Sequence, residues 1–214
     1  VPCTWAESGP SDSTAIGGVD VHVHILVQKG RGDRQGPPPR GKPGDGRRPG
    51  RGNSAGMENK DSDSGYEEAG RHLVKKMAEN GVAKVLLMPP PMTSENAVPG
   101  TTDQLFGLAR RYPKQVFVAA GGDVLNPMIQ EIDAENVTPQ VRKRFEKTAE
   151  DLVGRGIKAF GEMTALHFSF NDKHVYEEVS PDHPLFLLLA DLAAKHDIPI
   201  DLHMEAVQNK MPFP

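Results

Sequence analysis

Two histidines on one face of a short strand are the first residues of the chain whose types and spacing could do chemistry. The stretch Val19–Ile25 (VDVHVHI) alternates apolar with polar residues, a pattern typical of a β-strand. His22 and His24 therefore leave the same face, with Cα atoms about 7 Å apart at roughly 3.3 Å of rise per residue. Two imidazoles can reach one metal ion from that spacing, at about 2.0–2.1 Å each. The stretch predicts half of a metal site.

Two further candidate ligands lie near the ends of later predicted strands. Glu162 lies near the end of the fourth predicted strand, and His203 near the end of the fifth. Parallel strands carry functional residues at their carboxyl ends, so we expect both residues to meet His22 and His24. Imidazole and carboxylate ligands suit Zn²⁺, and also Mn²⁺, Fe²⁺ or Ni²⁺. The sequence thus predicts a divalent metal site of four ligands, most simply zinc.

Three neighbouring residues are candidates for supporting roles. Asp20 lies two residues before His22, and Asp201 two residues before His203, so each shares a strand face with the nearby histidine. Either aspartate could therefore accept a hydrogen bond from a ligating imidazole. His167 lies in the predicted loop after Glu162, close enough to touch a substrate. Structural interpretations stay open, since Asp201 could serve the fold alone, His167 could be solvated, and Glu162 could cap or pair.

A regular alternation of strands and helices must position these residues. We predict strands near 16–27, 82–88, 115–120, 157–163 and 198–204, and helices near 66–80, 101–112, 139–154 and 184–196. Such alternation predicts an α/β fold with a parallel sheet and right-handed crossovers. It fits a doubly wound sheet or a (β/α)₈ TIM-type barrel, which typically needs about 250 residues. Only about five β/α units would then lie in this chain.

The domain organisation follows from local composition. Residues 1–15 look irregular, and residues 16–214 would form the partial barrel domain. Within that domain, residues 28–64 are rich in Gly, Pro and Arg and predict a disordered insertion. This insertion contains no aromatic residue on which bases could stack, so we expect no specific nucleic-acid binding.

Composition narrows the classes of protein further. The net charge is −4 and Cys3 is the only cysteine, which excludes an intrachain disulfide and cysteine-based zinc sites. No apolar run approaches the roughly 18–20 residues that span a bilayer. The Ser/Thr-rich start after Val1 would suit an exported protein whose signal peptide has been removed. We expect a small-molecule substrate, and assembly into a homo-oligomer is left open.

Three short motifs together resemble a known family. H-V-H at 22–24, G-E-M at 161–163 and H-M-E-A at 203–206 resemble the signature of the metal-dependent amidohydrolase superfamily. Within it, the amidohydrolase-related branch of TIM-barrel metal-dependent hydrolases is the most similar. The resemblance covers roughly residues 16–27 and 66–210.

The resemblance implies a (β/α)₈ barrel with one or two metal ions. In the family, the histidines that match His22 and His24 bind the more buried ion, and Glu162 matches the position of a modified lysine that bridges two ions. His203 matches a ligand of the second ion, or of the single ion in some branches. The implied activity is hydrolysis of an amide, cyclic amide or lactone by a metal-activated water. Alternatives are a metal-dependent decarboxylase of the same superfamily and a non-catalytic metal-binding protein.

The chain also departs from the family pattern. The family uses a histidine after its sixth strand and an aspartate after its eighth, and the aspartate takes the proton from the attacking water. Neither strand is present, so the resemblance implies truncation after the fifth strand. The general base is therefore expected beyond residue 214.

Overall fold

The computed structural model describes residues 17–25, 58–93, 100–168 and 176–205. The described part is a mixed α/β structure with a six-stranded sheet. Its elements are β1 Gly18–Val23, α1 Glu58–Glu79, β2 Val82–Leu87, α2 Thr101–Arg111, β3 Val116–Gly121, α3 Asn126–Glu131, a 3₁₀ turn Ala134–Asn136, α4 Pro139–Gly154, β4 Ala159–His167, β5 Glu177–Glu178, α5 Pro184–His196 and β6 Ile200–Met204. The predicted alternation of strands and helices is confirmed. Helix α3 and strand β5 were not predicted.

Five strands form a parallel run in chain order, β1-β2-β3-β4-β6. The order shows no reversal of the kind that marks a doubly wound sheet. The two-residue strand β5 pairs antiparallel with the end of β4, where His167 lies opposite Glu177. The carboxyl ends of the parallel strands therefore share one edge of the sheet, which is the edge where the candidate ligands were expected.

The hydrophobic core lies mainly between the helices and one face of the sheet. The larger cluster joins strand residues such as Leu87, Val118 and Phe160 to apolar residues of all five helices. A small second cluster on the other face consists of Met88, directly after β2, and the strand residues Ala119 and Ala159, with Leu86 packed against them. Because the two clusters take alternate residues of each strand, the described helices pack on one face.

The face without helices is concave. Strands β1 and β6 are the two ends of the parallel run, and in a flat sheet their axes would lie about 19 Å apart, at roughly 4.8 Å per strand. Yet His22 Nδ1 of β1 lies 3.3 Å from Asp201 Oδ2 of β6. Two side chains of this length cannot bridge a flat sheet, so the sheet curves strongly and brings its two outer strands together across the concave face.

A register shift in the pairing of β4 orients the side chain of Glu162 toward this concave face. The pairing with β6 shifts between Phe160 and Met163, and both of these side chains lie in the helix-side core. Regular alternation would put Glu162 on the side of Phe160, whereas the shift turns its carboxyl toward the histidines. Gly161 permits the close approach of β6, because a Cβ atom there would lie 2.9 Å from the Cβ of Asp201.

The segment predicted as a disordered insertion is partly helical. Helix α1 begins at Glu58, so residues 58–64 of the predicted insertion belong to a helix and not to an irregular loop. The helix therefore starts earlier than the apolar periodicity from Tyr66 indicated. The prediction for residues 28–57, like that for residues 1–15, lies outside the described residues.

The outer strands of the parallel run carry exposed apolar residues. These exposed residues are Val19 and Val21 of β1 and Leu202 and Met204 of β6. They lie on the opposite face of their strands from the candidate ligands. None of the helices in the described ranges combines the length and apolar character needed to cross a membrane.

Candidate metal centre

His22, His24 and Glu162 bring three ligand atoms together on the concave face, and we call this group site 1. The two Nε2 atoms of the histidines lie 3.0 Å apart. Glu162 Oε2 lies 3.2 Å from His24 Nε2 and 3.7 Å from His22 Nε2. Ligands that share one ion at about 2.0–2.2 Å lie roughly 2.8–3.6 Å from one another. The three separations are therefore close to those of a metal site.

The outer nitrogens of both histidines are held by acceptors. His24 Nδ1 lies 2.9 Å from the carbonyl oxygen of Met88, which can only accept, so this Nδ1 carries hydrogen. His22 Nδ1 lies 3.3 Å from a carboxylate oxygen of Asp201 and donates to it. Both Nε2 atoms are left to face one another and Glu162. This is the arrangement in which a backbone carbonyl and a carboxylate fix the tautomer and orientation of ligating histidines.

With hydrogen on both Nδ1 atoms, neutral imidazoles would present their Nε2 lone pairs to each other across 3.0 Å. Lone pairs at that distance repel unless a proton or another cation lies between them. A proton can join His24 Nε2 to only one neighbour at a time, whereas a metal ion can be bound by all three site 1 atoms at once. The donor set therefore fits a divalent ion better than it fits protons alone.

A second group of three ligand atoms lies beside the first, and we call it site 2. It consists of His167, His203 and Glu205. His167 Nδ1 lies 2.8 Å from His203 Nε2 and 2.9 Å from Glu205 Oε1, and His203 Nε2 lies 3.1 Å from the same oxygen. The backbone N–H of Phe168 also donates to Glu205 Oε1, at 3.3 Å.

Glu162 and His203 connect the two sites. His203 Nδ1 donates to Glu162 Oε1 across 2.6 Å, while the other oxygen of this carboxylate faces site 1. His203 therefore contacts Glu162 through one nitrogen and site 2 through the other. The four residues predicted as ligands of one site do meet, but Nε2 of His203 belongs to the second group.

The Glu162 carboxylate stays ionised between its partners. Its side chain is only 5% exposed. Burial acts to raise the pKa of Glu162, but the hydrogen bonds with His24 and His203 and their charges outweigh it, so the net pKa lies below its ordinary value. A buried anion in contact with three histidines attracts positive charge to this point of the sheet.

The pKa values of His24 and His203 shift upward, opposite to that of Glu162. The hydrogen bond to Glu162 is the main cause that raises the pKa of His24. Partial burial acts to lower the pKa of His203, but hydrogen bonds to Glu205 and Glu162 outweigh it, and the net pKa is raised. Protons therefore compete for the positions that a metal ion would take.

Zinc affinity is expected to fall on acidification. A ligating histidine must be unprotonated, and the raised pKa of His24 means that protons compete already above pH 6.5 or so, where an ordinary histidine titrates. For each histidine proton that zinc displaces, the zinc affinity falls by up to about tenfold for every pH unit below the pKa of that histidine. Competition with a chromophoric chelator between pH 8 and pH 5.5 measures this. A constant affinity over that range would contradict binding through histidine nitrogens.

The three residues predicted to have supporting roles lie at different places around the two sites. Asp201, for which the sequence left a supporting and a structural role open, accepts from the His22 imidazole. Asp20 instead accepts from the backbone N–H of His22, at 3.3 Å. His167, predicted in a loop, is the last residue of β4 and lies in site 2.

Glu205 is the residue of site 2 to which the sequence analysis assigned no role. It follows His203 by two positions, the same spacing as His22 and His24. That spacing puts both side chains on one face at a strand end, and it could have identified Glu205 as a candidate ligand.

Comparison with known protein families, curated proteins and solved structures found no match to this chain.

Proposed function

We propose that the protein is a metal-dependent hydrolase that acts on an amide, cyclic amide or lactone-type carbonyl. The observation that carries the proposal is the convergence of His22 Nε2, His24 Nε2 and Glu162 Oε2, with both histidines held by acceptors on their outer nitrogens. The resemblance of the three sequence motifs to the amidohydrolase superfamily supports the same reaction.

Two histidines and one carboxylate are a ligand set suited to a catalytic zinc ion. Such sites use three protein ligands and keep a further position for water or substrate. The side chain of His22 is 44% exposed, so site 1 is open to solvent on that side. Bound there, zinc would lower the pKa of a water molecule toward about 7 and polarise the carbonyl of the substrate.

The residues of this chain hold and orient the site. Asp201 and the carbonyl of Met88 keep the two imidazoles in the tautomer that leaves Nε2 available. Glu162 supplies negative charge from a buried position, which offsets part of the charge of a divalent cation. Because His22, Glu162 and Asp201 lie on β1, β4 and β6, and Met88 directly follows β2, the curvature of the sheet positions the whole site.

We further propose that the curved sheet is part of a (β/α)₈ barrel. Three features support this architecture: parallel strands in chain order, the packing of all the described helices on one face, and outer strands whose side chains meet across the concave face. In such a barrel, the exposed apolar residues of β1 and β6 lie on the side of the sheet that the helices cover.

Hydrolysis by the zinc-loaded chain tests the activity. A panel of a nitrophenyl ester, an aromatic lactone, a cyclic imide and an anilide covers the proposed carbonyl types. We expect at least one substrate to be cleaved at least about tenfold faster by the loaded than by the stripped chain, because the ion activates water. The variant His24→Ala should lose this difference, whereas His72→Ala, which replaces an exposed histidine of α1, should keep it.

Two results would contradict a hydrolase. One is a rate that does not change when zinc is removed and restored. The other is a zinc-dependent rate that His24→Ala and His72→Ala retain equally.

A further inference from the structure

The three atoms of site 2 form a nearly equilateral triangle. Its sides are 2.8 Å between His167 Nδ1 and His203 Nε2, 2.9 Å between His167 Nδ1 and Glu205 Oε1, and 3.1 Å between His203 Nε2 and the same oxygen. All three separations lie within the roughly 2.8–3.6 Å expected between ligands of one ion. The triangle is also more compact than that of site 1.

Hydrogen atoms cannot satisfy all three sides of this triangle. If both nitrogens carry hydrogen toward Glu205 Oε1, the two N–H groups converge on that one oxygen, and the 2.8 Å side between the nitrogens holds no hydrogen bond. If only one nitrogen carries hydrogen, the lone pair of the other faces the carboxylate at about 3 Å, since an imidazole nitrogen carries at most one hydrogen. A cation bound by all three atoms removes both conflicts.

The second oxygen of Glu205 points to the same conclusion. Its Oε2 atom is buried and has no hydrogen-bond partner within the described part of the chain. A buried carboxylate oxygen without a partner is costly. The carboxylate of a ligating glutamate can offer both oxygens to one cation, which would give Oε2 the partner that it lacks.

We propose that His167, His203 and Glu205 form a second binding site for a divalent transition-metal ion, separate from site 1. The ligand set of two imidazoles and one carboxylate selects Zn²⁺, Fe²⁺, Co²⁺ or Mn²⁺ over Ca²⁺ and Mg²⁺, which prefer oxygen ligands. The site shares no ligand residue with site 1, so it does not rest on the proposed hydrolase activity.

Glu162 orients this second site from outside it. It accepts hydrogen from Nδ1 of His203, which leaves Nε2 of that histidine for the ion. The same carboxylate faces site 1 with its other oxygen. An ion at either site therefore draws on the charge of Glu162, and the two ions would influence each other through one residue.

Zinc content distinguishes the two sites. The 214-residue chain is stripped with a chelator, reloaded with excess Zn²⁺, freed of unbound metal and assayed by mass spectrometry of the elements. We expect two zinc ions per chain in the unsubstituted protein and in the control His72→Ala. We expect one ion in His167→Ala/Glu205→Gln and one in His22→Ala/His24→Ala, with circular dichroism to confirm that each variant is folded.

The conservative variant Glu205→Gln covers the case in which the double variant does not fold. It keeps the size of the side chain, and calorimetric titration with Zn²⁺ should then show one of two binding events weakened by at least about tenfold. Its titration curve should otherwise match that of the unsubstituted chain at site 1.

The outcomes separate this inference from the proposed function. One ion per chain that persists in Glu205→Gln at full affinity and disappears in His22→Ala/His24→Ala would overturn site 2 and leave site 1 standing. Full zinc content in His22→Ala/His24→Ala, with loss in His167→Ala/Glu205→Gln, would support site 2 and overturn the metal site on which the proposed hydrolase depends. No bound zinc in the unsubstituted chain would overturn both.

Discussion

Replacing Glu162 by glutamine is expected to weaken zinc binding at site 1 by more than about 100-fold. The loss of an outer partner alone typically costs about 10–100-fold, and Glu162 is in contact with both site 1 histidines. The substitution keeps the volume of the side chain but removes the buried negative charge. The pKa of His24 should also fall toward its ordinary value, because the hydrogen bond to Glu162 is the main cause that raises it.

A matched control for this variant exists on the helix side of the molecule. Glu150 contacts Lys195 and His196 and is more exposed, so Glu150→Gln makes the same chemical change beside another histidine. Calorimetric zinc titrations of Glu162→Gln, Glu150→Gln and the unsubstituted chain give the comparison. Equal affinities in all three proteins would show that Glu162 is a structural carboxylate and not part of a metal site.

Removal of metal is expected to lower the midpoint of thermal unfolding by about 5–10 °C. An ion that binds only the folded chain, present at 100 times its dissociation constant, stabilises it by about 2.7 kcal/mol. For a chain of 150–250 residues, each kcal/mol shifts the midpoint by roughly 2–4 °C. The ion would also tie β1 to β4, two strands that are not neighbours in the sheet.

Differential scanning calorimetry of the zinc-loaded chain, with and without excess chelator, measures this shift. The variant His22→Ala/His24→Ala should show a smaller shift than the unsubstituted chain, since it keeps only site 2. If the midpoint stays the same when metal is stripped and restored, the folded chain does not bind the ion in preference to the unfolded chain.

The order of strands and helices could be predicted because it depends on local patterns. The alternation at Val19–Ile25 predicted β1 and the shared face of His22 and His24, and the helix predicted near 139–154 does begin after Thr138, at Pro139. The side chain of Thr138 does accept from the backbone N–H of Val141. Such signals act within a few residues, so one sequence is sufficient to show them.

The division into two sites could not be predicted in the same way. The atom by which His203 contacts each neighbour depends on the orientation of its ring between Glu162 and Glu205, which are far apart in the sequence. The shift between Phe160 and Met163 also changes which way Glu162 points, and strict alternation would have given the opposite face. These features arise from packing between strands and have no local sequence signal.

Anomalous diffraction at the zinc absorption edge, from crystals of the zinc-loaded chain, would locate an ion at site 1. We expect a peak about 2.0–2.2 Å from His22 Nε2, His24 Nε2 and an oxygen of Glu162. The Nδ1 atoms of the two histidines should remain hydrogen-bonded to Asp201 and to the carbonyl of Met88, as they are here. Absence of a peak among these three atoms, in crystals grown with zinc at saturating concentration, would contradict the account.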